Sequence, residues 1–206
     1  MGRPLGRAVT ADPTAEIVAA REEARRRKDP HVDVCFLVTV GTGGQPEARP
    51  VSLRDVDADG FGMLINTHSP KWRQIEAGGQ CSLTILWSSV ERQYRVYGTL
   101  RPMRAERLRF WWERKVLGSR LLEHYYGVYR PQSEPVASRE EFLAGIAELG
   151  RRYPDAASVP PPAGLRGVCL WPTAIDVWHG SPADRLHDRR LFTRSETGWT
   201  FETLVP

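Results

Sequence analysis

The chain has 206 residues, of which 41% are hydrophobic and 26% charged, with 29 Lys and Arg against 25 Asp and Glu for a formal net charge of +4. That is the composition of an ordinary soluble globular protein of one large or two small domains, able to bury roughly 70% of its unfolded surface. No apolar run approaches the ~20 residues that a membrane-spanning helix requires, and the amino terminus "MGRPLGRAVTADPTAEI" does not read as a secretory leader, having no apolar stretch.

Asp12 and Pro13 start a predicted helix over residues 12–28, with apolar positions at Ile17 and Val18. The basic run "REEARRRKD" at residues 21–29 carries its own Glu22, Glu23 and Asp29 and reads as that helix's solvated face, so the basicity does not point to nucleic acid. An apolar run, "VDVCFLVTV" at 32–40, predicts a strand closed by the turn "GTGGQ". A second strand follows over 47–56, with Pro50 marking an edge or a bulge, and "DADG" at 57–60 forms a hairpin into a strand over 61–67. In "SPKWRQIEAGG", Ser69 caps a short helix, Pro70 occupies its first position and Gly78 ends it. Strands over 81–87 and 92–103 complete a meander of five, the pattern of a barrel or a strongly curled sheet.

The middle of the chain is helical. Residues 104–126 read as helix broken at Gly118, and 138–153 as a helix opened by a capping box of Ser138 and Glu141. A proline-rich connection leads to strands over 168–180, 185–194 and 198–206. Three closing strands alone would be marginal, so the expectation is a single β-rich α+β domain over 1–206: main barrel strands at 30–103, a helical excursion at 104–153 and closing strands at 168–206. Cys35, Cys81 and Cys169 lie far apart in apolar runs with no metal-ligand spacing, as expected of buried thiols in a reducing cytoplasm and of a protein without a metal.

If residues 185–194 form a regular strand, Arg185, His187 and Arg189 share one face while Asp184 and Asp188 point to the other. Unpaired cations are costly to bury, so that face meets solvent, carboxylates or an anionic ligand. In "ARPVSLR", Arg49 and Arg54 have opposite parity and need a bulge near Pro50 or a bend at Arg54 to serve one ligand. Lys71, in the first turn of a helix, opposes the helix dipole unless an anion sits there. Gln93 either faces solvent or lines a pocket, and Trp178 is either core or an aromatic platform. No nucleophile triad, phosphate loop or dinucleotide fingerprint is present, which leaves chemistry borrowed from a cofactor.

The tail "IDVWHGSPADRLHDRRLF" with "GWTFETLVP", and the stretch "ARPVSLRDVDADGFGMLINTHSPKW" with "ERQYRVYG", together resemble the pyridoxamine/pyridoxine 5′-phosphate oxidase family over about Asp12 to Pro206. The resemblance implies an FMN-binding split β-barrel with peripheral helices, homodimeric, with each flavin between two subunits. It implies FMN contacts at Arg49, Pro50, Val51, Ser52, Leu53, Arg54, Leu64, Ile65, Ser69, Lys71, Gln93, Gln132, Ser133, Trp178 and Arg189. Substrate would meet Arg54, Trp111, Lys115, Ser119, Arg185 and His187, of which Arg185 and His187 would be the catalytic pair that orients the ring over the flavin. The reaction implied is oxidation of pyridoxamine or pyridoxine 5′-phosphate to pyridoxal 5′-phosphate, with dioxygen as acceptor and peroxide as product, in the cytoplasm, without nucleic acid or membrane partners. The family usually carries threonine at Ile65, a basic residue at Pro70, lysine at Arg54, tyrosine at Trp111 and arginine at Lys115, and its amino-terminal lid has no counterpart before Asp12. These departures keep two alternatives in play: oxidation of another aromatic metabolite such as a phenazine-type precursor, or non-catalytic binding of FMN or pyridoxal phosphate.

Overall fold

The computed structural model describes residues 7–9, 12–78 and 80–206, with side-chain surroundings from Asp12 onward; the lid expectation falls largely outside these residues. The elements, in chain order, are β1 (Arg7–Val9), α1 (Pro13–Arg26), β2 (Val34–Val40), β3 (Pro46–Ser52), β4 (Asp55–Asp57), β5 (Gly60–Asn66) and α2 (Pro70–Glu76). There follow β6 (Ser82–Trp87), β7 (Arg92–Pro102), α3 (Ala105–Glu113), α4 (Leu117–Val128), α5 (Arg139–Arg152), β8 (Leu165–His179), β9 (Asp188–Ser195) and β10 (Gly198–Thr203). The ten strands form one sheet in the order β1-β10-β9-β8-β7-β6-β2-β3, with β5 joining β4 to β8 off that path. Strand β1, over Arg7–Val9, lies antiparallel to β10 and has no counterpart among the predicted elements.

The chain divides into two compact units. The first comprises Met1–Met63, Gln80–Arg101 and Cys169–Pro206. Its core follows the period-two alternation of the strands: β2 buries Cys35, Leu37 and Thr39, β6 buries Leu83, Ile85 and Trp87, and β7 buries Tyr94 and Val96. Each such apolar side chain contributes roughly 1.5–3 kcal/mol. Helix α1 is capped as the sequence predicts, with Asp12 Oδ1 accepting from Thr14 N at 2.8 Å and Pro13 in the first turn. Ile17 is fully buried.

Two details of this unit correct the sequence reading. Arg21, the first residue of the basic run, is not on a solvated face; it is 5% exposed. Its guanidinium donates to Asp33 Oδ1 and Leu53 O, both at 2.6 Å, and to Arg54 O at 3.4 Å. Asp29, at the end of the run, is buried as well and accepts from His31 N and Ser89 N, each at 2.9 Å, whereas Arg25, Arg26 and Arg27 are paired to Glu22 and Glu23 at the surface as expected. The second correction is that residues 47–56 are two strands. The pairing of β3 with β2 runs unbroken from Val34↔Ser52 to Val40↔Pro46, so Pro50 causes no bulge. It is tolerated because β3 ends the sheet order and an edge strand has spare N–H positions. The bend comes later, at Leu53 and Arg54, where Leu53 N donates to Asp33 O and Arg54 N to Gly62 O.

The second unit comprises Leu64–Gly79 and Pro102–Val168. Its core is helical: Trp112, Leu121, Tyr125, Leu149, Val159 and Leu165, with Leu64, Leu108 and Phe142 packed against it. The break in the first long helix lies at residues 114–116, not at Gly118, which sits inside α4 with open space beside it. Arg120 supplies the reason. It is 5% exposed and donates to the carbonyls of Glu113, Lys115 and Ala156, satisfying acceptors that the end of α3 leaves without a helical partner. The start of α5 is capped by Ser138 Oγ, which accepts from Glu141 N at 3.1 Å, while Glu141 Oε2 reaches back to Ala137 N. Of the cysteines, Cys35 and Cys169 are buried, and Cys81 is only half-buried. No described helix is long and apolar enough to cross a membrane.

Candidate functional site

In the first unit, Arg189 is bonded to a buried carboxylate, Asp176, while Trp178 and His187 meet ring to ring. Strand β9 begins at Asp188, so Arg189 is a strand residue whereas Arg185 and His187 lie in the preceding turn; the shared strand face predicted for the three does not form. Arg189 sits opposite Trp178 across the β8–β9 pair. Its Nε and Nη2 donate to the two oxygens of Asp176 at 3.1 and 2.9 Å, a bidentate fork. Asp176, 4% exposed on β8, also accepts from Arg95 of β7. Burial alone would push the Asp176 carboxyl up, but the bonds from Arg189 and Arg95 outweigh it and hold the group below its ordinary range. Gln93 lies two residues before Arg95 on β7 and therefore on the same strand face.

The turn between β8 and β9 orients His187. Asp184 does not act as a counter-charge to the arginines; its Oδ1 accepts from Ser181 Oγ and from Leu186 N and so builds the turn. Ser181 N donates to His187 Nδ1 at 3.0 Å. A backbone N–H can only donate, so Nδ1 is the acceptor and the proton of the neutral ring resides on Nε2. The His187 ring lies 4.6 Å from that of Trp178, tilted by 46°. Arg185 adopts a left-handed φ of 65° and is exposed. Asp188 instead pairs with Arg190 Nε at 3.0 Å.

The other expected residues of this unit lie on β3 and just beyond it. Arg49 and Val51 face inward while Pro50 and Ser52 are exposed. Arg49 donates to Leu37 O, Thr39 Oγ1 and Glu47 Oε2. Leu53 is buried, and Arg54 occupies the bend that Arg21 holds through the carbonyls of Leu53 and Arg54.

The second unit brings together another subset. Ser69 is fully buried, donates to Asn66 O at 2.6 Å and caps α2 at Trp72 N. Lys71 Nζ donates to Gln132 Oε1 at 2.8 Å, and Gln132 N donates to His68 O, so Lys71 and Gln132 are adjacent although 61 residues apart in sequence. Ser133 follows with a φ of 73°. Ile65 is buried and Leu64 packs on the helical core. On the helices, Trp112 is buried with its Nε1 donating to Val159 O, whereas Trp111 is only half-buried. Lys115 Nζ is bonded at 2.5 Å to Glu123 Oε1, and Glu123 Oε2 accepts from Asn66 Nδ2 at 2.8 Å. Sequence reasoning missed Asp176, Arg21, Asn66 and Glu123. Only Asp176 left a readable signal, a carboxylate inside the apolar run "TAIDVW".

Residues 21–151 match the family model "Pyridoxamine 5′-phosphate oxidase", and residues 166–206 match "Pyridoxine 5′-phosphate oxidase C-terminal dimerisation region". The chain belongs to the pyridoxamine 5′-phosphate oxidase family. Among its relatives, a pyridoxine/pyridoxamine 5′-phosphate oxidase from Burkholderia orbicola (strain MC0-3) is 35% identical over 199 residues, covering 95% of this chain and 89% of the relative. One from Salinibacter ruber is 32% identical over 201 residues, covering 96% and 91%. Among solved structures, PhzG from Burkholderia lata 383 in complex with tetrahydrophenazine-1-carboxylic acid superposes with a TM-score of 0.80 at 21% identity, covering 95% of this chain and 93% of that one. An FMN-binding protein related to pyridoxamine 5′-phosphate oxidase from Nostoc punctiforme superposes with a TM-score of 0.71 at 18% identity, covering 96% and 100%. The fold is therefore the split-barrel type of this oxidase family, β-rich with helices, as the sequence leads one to expect.

Proposed function

We propose that the protein is an FMN-dependent oxidase that converts pyridoxamine or pyridoxine 5′-phosphate to pyridoxal 5′-phosphate, as a homodimer, with dioxygen as acceptor. The observation that carries this reading is family membership along nearly the whole chain, joined to the placement of Trp178 against His187 and opposite Arg189, which is forked onto Asp176. The chemistry of the donor set fits FMN. Lys71 with Gln132 and Ser133 offers a cation, an amide and a hydroxyl to a phosphate, while Gln93 and Arg189 suit ring carbonyls and Trp178 an aromatic face. In this reading Arg49, Pro50, Val51, Ser52, Leu53, Arg54, Leu64, Ile65 and Ser69 complete the flavin contacts. Bound FMN supplies a hydride acceptor that dioxygen regenerates. The protein's own part is to orient. His187 presents an Nε2–H fixed by the Ser181 bond to Nδ1, Arg185 supplies an exposed cation beside it, and Asp176 holds Arg189 at a set angle.

The purified protein should show flavin absorbance at one FMN per chain and release peroxide and pyridoxal 5′-phosphate in equal amounts from pyridoxamine 5′-phosphate. Flavin without turnover would overturn the substrate, and a protein that cannot take up FMN would overturn the reading as a whole. A second reading, oxidation of an aromatic substrate that lacks a phosphate, is favoured by one observation: Lys115, which is expected to meet the substrate and as a cation would suit its phosphate, is paired with Glu123.

A further inference from the structure

The family resemblance assigns Lys115 and Ser119, both in the second unit, to the substrate, and the inference here rests on that assignment and on the oxidase function proposed above. Helix α4 starts at Leu117, which leaves Lys115 in the connector and places Ser119 and Glu123 one turn apart on the same helix face. Lys115 Nζ is bonded to Glu123 Oε1, and the two side chains are 11% and 14% exposed. The carboxylate is not free to swing away. Its second oxygen accepts from Asn66 Nδ2, and Asn66 is itself 4% exposed and held through its Oδ1 by His68 N at 2.9 Å. Glu123 is thus a fixed anion on the face that carries Ser119, with its charge directed at the cation expected to meet a phosphate. Nearby, burial and the Glu123 charge push the Tyr126 phenol up to about 12.

We propose that Glu123 is a specificity-determining residue that competes with the substrate's phosphate for Lys115 and lowers the preference of the site for phosphorylated over unphosphorylated rings. A phosphate arriving at Lys115 must either displace Glu123 or share the cation with it, and like charges this close in a largely buried place oppose binding. An unphosphorylated ring meets no such opposition. The pair therefore narrows the difference between the two ligand classes instead of excluding either.

The test compares the flavin-loaded wild type with Glu123→Gln, titrating each with pyridoxal 5′-phosphate and with pyridoxal and reading binding by absorbance, without turnover. Glutamine keeps an oxygen for Asn66 and removes the charge. The phosphate preference, the ratio of the two dissociation constants, should rise by threefold or more in the variant, through tighter binding of pyridoxal 5′-phosphate. A change below threefold, or a fall, overturns the proposal. If Glu123→Gln does not fold, as judged by circular dichroism, Glu123→Met is held to the same criterion. If neither folds, the wild type decides: a phosphate preference of tenfold or less supports the proposal, and a larger one overturns it. Failure of the proposed oxidase reading is seen separately, as absence of FMN uptake or of peroxide from pyridoxamine 5′-phosphate in the wild type.

Discussion

Asp176 of β8 joins Arg189 of β9 to Arg95 of β7, and residue-scale predictions follow from what each arginine touches. Arg189 is forked onto Asp176, whereas Arg185 is exposed in a turn and makes no side-chain hydrogen bond or ion pair among the described residues. Replacing Arg185 by alanine should therefore lower turnover at least tenfold while leaving flavin content and melting temperature unchanged. Arg189→Ala should weaken flavin retention and lower the melting temperature, since it strips Asp176 of one of its two cations. Equilibrium dialysis and calorimetry on the two variants separate these outcomes. Asp176→Ala leaves Arg189 and Arg95, both partly exposed, without their shared partner and should cost about 1.5–3 kcal/mol in urea unfolding. Strand parity left solvent, carboxylates or an anionic ligand open as what Arg189 meets. It could not say that the anion is a carboxylate on the neighbouring strand, because register joins residues 13 apart that no local pattern links.

At the scale of elements, local signals located the helices and strands well and their junctions less well. The caps at Asp12, Ser69 and Ser138 form where side-chain oxygens precede helical runs, because capping is a bond between neighbours. The break between α3 and α4 was displaced from Gly118 because Arg120 satisfies the open carbonyls of Glu113 and Lys115, a tertiary choice. Likewise β9 starts at Asp188 because Asp184 and Ser181 close a turn ahead of it. The β4–β5 hairpin depends on Gly60, whose φ of +108° is unfavourable for other residues and where an added Cβ would stand 2.3 Å from Leu170 O. Gly60→Ala should destabilise the protein by about 3 kcal/mol or more, read as a shift of the urea midpoint with unchanged slope.

For the whole molecule, acid sensitivity follows from carboxylates tied to cations. Burial raises Asp176, Asp33 and Glu16, but arginine bonds to the two aspartates, and His179 and Arg190 beside Glu16, win and hold all three low. A depressed folded pKa means stability that is whole above the ordinary carboxylate range, near pH 4, and lost as pH falls through the folded values. The melting temperature should thus be level from pH 7 down to about pH 5 and fall steeply below pH 4. Ligand linkage gives a second global test: FMN at a hundredfold excess over its dissociation constant should add about 2.7 kcal/mol, or roughly 5–10 °C in melting temperature, over the FMN-depleted protein. By itself the sequence determined the order of the helices and of most strands, the caps and, through motifs spread along the chain, membership of the oxidase family, while it left Pro50 between an edge and a bulge. Those features rest on bonds between neighbours or on side-chain types in fixed order. Only the tertiary structure decided that Arg21 is buried, that Asp176 unites Arg95 with Arg189, and that Lys115 is already bonded to Glu123. Each of these is an electrostatic pairing between segments distant in sequence, and its energy depends on burial and separation, which exist only once the chain has folded.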